Sequence, residues 1–179
     1  LEMKKAAHEH QVRFLQSDDI VSIGTGTGSQ QFEVDSIPTP DEIDWNQVSD
    51  VPVVLITGTN GKSTTVRLME AILTTAGIQS GASSTDGLRI AKQTVKSGDY
   101  SGPEGARSIL RNTDVETAVL EIARGGMLRR GLPVKHIQAA LITNVAEDHL
   151  GEYGVQNLSD MVETKFIIQH GLADGGVLV

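Results

Sequence analysis

The chain of 179 residues has no cysteine. Disulfides and thiolate-bound metals are therefore excluded, and redox usage gives no hint of compartment. Basic charge is in deficit: 15 lysines and arginines stand against 23 acids, a formal net charge of -8. A nucleic-acid partner held by bulk electrostatics is excluded on that balance. No apolar run approaches the length of a membrane span. There is no charged-then-apolar opening with a small-residue cleavage site, so no signal peptide is read. Internal repeats and low-complexity tracts are also lacking. The expectation is a soluble, cytoplasmic α/β protein with no nucleic-acid or membrane partner, long enough for one domain with a real core. One further absence is local. In "VVLITGTNGKSTT", residues 53–65, a G-x-x-x-x-G-K-[ST] phosphate loop would need glycine at position 56. Ile56 stands there, and the nearest glycine is Gly58.

What is present reads in two parts, with a boundary near residue 50. Residues 3–16 suggest a modest helix, with Ala7, Phe14 and Leu15 among its apolar positions. Two short strands follow, at about 20–24 and 31–35, around a turn holding Gly24, Gly26 and Gly28. No helix pattern follows those glycines, so they read as a flexible hairpin loop rather than a nucleotide site. "PTPDEIDW" is a linker or one short helix capped by Asp41.

After residue 50 strands and helices alternate. "VPVVLIT" is a β-branched run of the kind buried on both faces of a sheet. "KSTTVRLMEAILTTAG" is a helix with Val66, Met69, Leu73 and Ala76 at helical spacing and Gly77 as its stop. "IQSGASS" reads as a strand and "TDGLRI…QTV" as a hairpin around Asp86-Gly87. "PEGARSILRN" is a helix begun by Pro103. "TAVLEI" and "IQAALITNV" are strands, "NLSDMVETKFIIQHGL" a helix capped by Asn157 or Ser159, and "GGVLV" the start of another strand. This alternation predicts a doubly wound, mainly parallel sheet with a small N-terminal hairpin and helix attached.

The segment at 53–65 has the arrangement a phosphate needs. A buried strand ends at Thr57, a helix begins near Lys62, and Gly58, Thr59, Asn60 and Gly61 lie between them. Backbone N–H groups converge at such a helix N-terminus, where the dipole favours an anion. Lys62 adds a charge for the phosphates, and the Ser63 hydroxyl suits Mg²⁺. Three other segments hold polar groups at strand ends or on the helix that follows. Glu121 ends the strand "TAVLEI", where ligands of doubly wound sheets collect and where a carboxylate suits Mg²⁺. By position alone Glu121 also fits a capping or solvated residue. Asn144, Glu147, Asp148 and His149 follow the strand "IQAALIT"; one histidine beside two acids equally fits a solvated loop. Lys165 by itself reads as a solvent-facing lysine.

"TGTNGKST" resembles the ATP loop of the Mur ligase family, T-G-[TS]-N-G-K-[ST]-T, which lacks the first glycine. "EIARGGMLRRGL" resembles the "ETARGGILRRGL" stretch of the cyanophycin synthetase branch of that family, with Ile122 in place of threonine. "SSTDGLRI", "GDYSGPEGARSIL" and "TNVAEDH" match further segments in family order over about residues 51–179. The resemblance implies an ATP-dependent ligase that joins a small-molecule or peptide carboxylate to an amine through an acyl phosphate, releasing ADP. It implies a central ATP-binding domain over 51–179, with 1–50 an extension or the remnant of a preceding region.

By resemblance, Gly58, Thr59, Asn60, Gly61, Lys62, Ser63, Thr64 and Asn144 bind the nucleotide. Ser63 and Glu121 hold one Mg²⁺. His149 and Lys165, the latter typically carbamylated in the family, hold a second. Lys62, Glu121, His149 and Lys165 form the catalytic set, while Thr85, Asp86, Arg107 and Arg124 face the substrates. For the two arginines a surface ion pair is the alternative. The chain opens at Leu1 and closes on an apolar strand pattern, so a fragment of a longer enzyme, inactive in isolation, is expected. Two rivals are a P-loop kinase or NTPase and a non-catalytic nucleotide-binding module. The first would carry glycine at position 56 and a Walker-B aspartate where Glu121 stands. The second leaves the set of Lys62, Ser63, Glu121, His149 and Lys165 without a purpose.

Overall fold

The computed structural model describes residues 2–147 and 150–179. Helix α1 (Glu2–Glu9) is shorter than the helix expected over 3–16. It ends in a Schellman turn: Gln11, at φ 59°, donates its N–H to the His8 carbonyl and Val12 donates to that of Ala7. Glycine usually marks this left-handed position, and its replacement by glutamine hides the stop from a sequence reading. Phe14 and Leu15 therefore belong to a strand, β1 (Phe14–Gln16), paired antiparallel with β2 (Ile20–Ile23). Strand β3 (Gln30–Glu33) completes a three-stranded sheet. Met3, Ala7, Ile23, Ile43 and Val48 form its core. "PTPDEIDW" folds as 3₁₀ turns at Pro40–Glu42 and Trp45–Gln47. The Glu42 carboxylate accepts from Thr39 N–H and hydroxyl, so Thr39 rather than Asp41 begins the first turn.

The turn between β2 and β3 is packed, not loose. A Cβ on Gly26, at φ 56°, would sit 2.2 Å from the Val115 carbonyl. The neighbouring Thr27 N–H donates to that same carbonyl at 2.9 Å. Its glycines let two backbones meet.

The larger sheet has seven strands among the described residues: β4 (Val53–Thr57), β5 (Ser80–Ser84), β6 (Gly87–Ile90), β7 (Gln93–Ser97), β8 (Thr117–Glu121), β9 (Ile137–Ile142) and β10 (Leu172–Leu178). Their order is β10-β9-β4-β8-β5-β6-β7. The first five in that order run parallel, and β6 and β7 fold back as antiparallel hairpins. The first hairpin turns at Thr85-Asp86, beside the expected Asp86-Gly87. The second turns at Ala91-Lys92, both at positive φ.

Helix α2 (Lys62–Thr75) packs Val66, Met69 and Leu73 on one face of the sheet, against Ile56, Ala82 and Val119. Helix α3 (Pro103–Leu110) covers the other face with Ala106, Ile109 and Leu110. Met127 of α4 (Arg124–Arg130) joins that second core. Helix α4 was not expected, because Gly125-Gly126 disfavours a helix. It forms where Met127 is buried and Gly125 lies under the Tyr153 ring. Helix α5 (Leu158–Phe166) is capped by Asn157, whose side chain accepts from Asp160 N–H. The sheet is thus doubly wound, as expected. The chain leaves β4 for β5 on one side and later leaves β8 for β9 on the other. The sense of winding reverses across β4, and ligands of such sheets bind at the strand C-termini beside that reversal.

Candidate functional site

Three adjacent strand ends meet at this point: β4 at Thr57, β8 at Glu121 and β9 at Ile142. Gly58 leaves β4 at φ 149°, and a Cβ there would lie 1.9 Å from Thr143 Oγ1, so only glycine fits beside β9. Gly61, at φ 82°, is the residue before α2 and offers no side-chain cap. The first N–H groups of α2 are thereby left without an intrahelical or capping partner, which is the condition for an anion site at a helix N-terminus. The Lys62 ammonium curls over the loop and donates to the carbonyls of Gly58 and Thr59, 3.0 Å each. Thr64 is exposed in the same first turn.

The Ser63 hydroxyl donates to Glu121 Oε2 at 2.9 Å and lies 3.0 Å from Thr85 Oγ1. The Thr85 N–H donates to the same carboxylate oxygen at 3.4 Å. Glu121 is only 2% exposed, and its Oε1 has no partner among the described residues. Burial pushes its carboxyl above the usual range. The Ser63 and Thr85 hydrogen bonds and the nearby Lys62 charge pull it partly back. A buried carboxylate oxygen left unbonded is costly, and a bound cation would relieve that cost. A cation with a preference for oxygen donors fits this set, with Ser63 Oγ and Glu121 as its ligands.

Lys165 is 3% exposed, and its ammonium donates to the Gly58 carbonyl at 2.9 Å. The residue-by-residue reading of a solvent-facing lysine is therefore corrected: α5 turns Lys165 inward, onto the loop that also holds Lys62. Asp148 and His149 lie outside the described residues. Among the described residues no group of three or more histidine and acid side chains could hold a metal by itself.

Asn144 and Thr143 continue from β9 alongside the loop. Thr59 N–H donates to the Asn144 carbonyl and Asn60 N–H to the Asn144 side chain, both at 3.0 Å. The Thr59 hydroxyl donates to the Ala146 carbonyl and accepts from Ala146 N–H.

The candidate substrate residues divide. Thr85 sits at the Ser63–Glu121 pair. Asp86 is exposed and paired with Arg67 at 2.6 Å, on the rim. The Arg124 side chain is 10% exposed, pairs with Glu152 at 3.0 Å and lines a cleft with Gly58, Thr59, Lys62, Tyr153 and Lys165. Arg107 is exposed on α3 and makes no ion pair or side-chain hydrogen bond among the described residues; its charge is felt by Arg111. Two side chains that the sequence did not point to border the cleft. Glu152 holds Arg124, and Tyr153 packs on Gly125 with the Arg129 guanidinium 5.2 Å from its ring centroid. Neither carries a spacing signal; a contact between the 150–156 loop and α4 is visible only in space.

Comparison with known proteins identifies the family and the fold. Residues 56–179 match the Mur ligase middle domain. Cyanophycin synthetase of Geminocystis herdmanii is 44% identical over 131 residues, covering 73% of this chain and 15% of that protein. A UDP-N-acetylmuramoyl-L-alanyl-D-glutamate–2,6-diaminopimelate ligase of Geobacter sulfurreducens is 35% identical over 112 residues, covering 59% of this chain and 22% of that protein. Among solved structures, one of a UDP-N-acetylmuramoyl-L-alanyl-D-glutamate–2,6-diaminopimelate ligase superposes with TM-score 0.55 at 23% identity, over 65% of this chain and 24% of the other. E. coli FolC in complex with DHPP and ADP superposes with TM-score 0.51 at 23% identity, over 65% of this chain and 34% of the other. The chain spans about 15% of the length of the cyanophycin synthetases that it matches. It belongs to the Mur ligase middle-domain family.

Proposed function

We propose that residues 51–179 are the nucleotide- and magnesium-binding part of an enzyme that joins a carboxylate to an amine at the expense of ATP. Residues 1–50 form an attachment to that domain. The observation that carries the reading is the Ser63–Glu121 pair. It lies directly beneath the uncapped N-terminus of α2, with one carboxylate oxygen unbonded. The cyanophycin synthetase relatives support a ligase over a kinase, and the ADP held by FolC supports the choice of nucleotide for this fold.

The role of each group follows from what it can reach. Free N–H groups in the first turn of α2 would receive phosphate oxygens. Lys62, held close by two loop carbonyls, would move onto the phosphates and stabilise charge spreading over the transferring group. Ser63 and Glu121 would hold Mg²⁺, which when bound neutralises charge on the phosphate oxygens. His149 and a carbamylated Lys165, whose added carboxylate supplies the oxygen donors an ammonium lacks, would hold a second ion, as the family resemblance implies. Arg124, beside Lys62 in the cleft, would orient an anionic group of the substrate. The substrate carboxylate would take the γ-phosphoryl group and release ADP. An amine would then displace phosphate from the acyl phosphate so formed, giving an amide.

The test is an ATP-dependent phosphate-release screen of the full-length protein against pairs of amino acids and peptides. Amide product must appear in step with phosphate. Lys62→Ala should lower the rate by about 10²-fold or more. Unchanged turnover in that variant, or a phosphorylated end product in place of an amide, would reject the reading.

A further inference from the structure

The loop between β4 and α2 is too short and too polar to hold its own shape. Gly58, Thr59, Asn60 and Gly61 contribute no side chain to either core. Its shape is imposed by β9. The Asn144 side chain uses both ends of its carboxamide on a single residue. Its Oδ1 accepts from Asn60 N–H at 3.0 Å, and its Nδ2 donates to the Asn60 carbonyl at 3.0 Å. The Thr143 hydroxyl donates to that carbonyl at 2.6 Å, and the Asn144 carbonyl accepts from Thr59 N–H at 3.0 Å. One donor and one acceptor on a planar amide match the N–H and C=O of one residue, as a neighbouring strand would. Turning the carboxamide over would set oxygen against oxygen and nitrogen against nitrogen.

Two consequences follow for the amides. The N–H groups of Thr59 and Asn60 are already engaged by Asn144, so they point at β9 and not at a ligand. The amides left to meet a phosphate are that of Gly61 and those that begin α2, from Lys62 onward. We propose that Asn144, with Thr143, is a positioning residue: it fixes the Asn60 peptide and thereby aims the first turn of α2 at the phosphates, without itself touching the nucleotide. This rests on the nucleotide-binding reading above and assigns Asn144 a different part in it from direct contact.

Hydrogen exchange at Thr59 and Asn60, read in the nucleotide-free chain, separates bracing from contact. Binding of magnesium AMPPNP to the same chain reads the consequence. Asn144→Ala should speed exchange at Asn60 by about tenfold, the equivalent of one lost hydrogen bond of about 1.4 kcal/mol, and weaken nucleotide binding by a similar factor. Exchange at Thr59 should rise less, because its acceptor is the main-chain carbonyl that alanine keeps. Thr143→Val should do the same to a smaller degree, and Thr143→Ser, which keeps the hydroxyl, should restore both. Weakened binding with unchanged exchange would make Asn144 a direct ligand and overturn the proposal. Faster exchange with unchanged binding would overturn it as well. Should Asn144→Ala fail to fold, the Thr143→Val and Thr143→Ser pair decides by the same two readouts. A wild-type chain that binds no nucleotide would bring down the functional reading and this proposal with it. A wild-type chain that binds, with variants that match it, would sink this proposal alone.

Discussion

The two ends of the large sheet each bury an acid, and they treat it differently. At the N-terminal ends of the strands Asp50 is enclosed where the small sheet docks. It accepts from Arg13 N–H and from the Thr25 hydroxyl, both at 3.0 Å, and lies 3.4 Å from the Arg13 guanidinium. Arg13 in turn donates to the carbonyls of Lys135 and His136. Burial raises the Asp50 carboxyl and Arg13 draws it back. At the C-terminal ends Glu121 is more deeply enclosed, 2% exposed against 20% for the Asp50 side chain, and it too is raised by burial. Yet the Lys62 ammonium, whose charge it feels, is bonded to loop carbonyls, and Oε1 is left without a partner among the described residues. Both Asp50 oxygens are bonded, so the carboxylate there is finished, although the Arg13 Nε beside it is buried without a partner among the described residues. Glu121 is unfinished, with one oxygen left over. The same chemistry of burial thus has two outcomes, and the difference lies in whether both oxygens of the acid are bonded.

The largest effect should come from breaking the finished end. Asp50→Ala leaves the Arg13 charge half-buried without its partner and should cost about 3 kcal/mol of stability, near the low end for a buried pair. Chemical denaturation would measure it, and nucleotide affinity should stay within about twofold of wild type, a difference below about 0.5 kcal/mol. Gly58→Ala strikes the other end. The added Cβ meets Thr143 Oγ1, and φ 149° is strained for alanine. A loss of about 2 kcal/mol is expected, now together with loss of nucleotide binding.

Glu121→Gln should separate stability from function. A carboxyl whose folded pKa lies above its unfolded value contributes most stability at low pH and loses it as pH rises from about 4.5 through the folded value. The neutral amide escapes that loss. Melting temperature in the absence of ligand should therefore exceed wild type at pH 7–8 and converge on it in acid, while magnesium-dependent nucleotide affinity falls at least about tenfold. A melting curve that drops at neutral pH would show that Glu121 is completed within the protein, as Asp50 is. The smallest effect belongs to Arg107→Ala. The residue is exposed, so stability should move by less than about 0.5 kcal/mol and phosphate release should not change. A large fall in turnover would bring Arg107 into the substrate site.

Much of this architecture was legible because it depends on local chemistry. The β-branched run at 53–57, the helical spacing of Val66, Met69 and Leu73, and Pro103 at the start of α3 each fix an element through neighbours in sequence. The loop at 58–61 was legible for the same reason: two glycines between a strand and a helix that opens on a lysine and a serine. Where local propensity and tertiary packing disagree, reading along the chain failed. Gln11 ends α1 without the expected glycine. Gly125-Gly126 enters a helix that Met127 and Tyr153 hold in place.

The sequence by itself determined the alternation of strands and helices, the strand–loop–helix that opens on Lys62, and the placement of Glu121 and Asn144 at strand ends, because each follows from residues within a few positions of one another. Only the tertiary structure decided that Lys165 is buried on Gly58, that Arg124 and not Arg107 lines the cleft, that Glu121 keeps one oxygen unbonded, and that Asn144 grips Asn60. Those facts depend on which groups from β4, β8, β9 and α5 arrive at one point, and on how completely they satisfy each other away from water. Spacing along a chain does not record either.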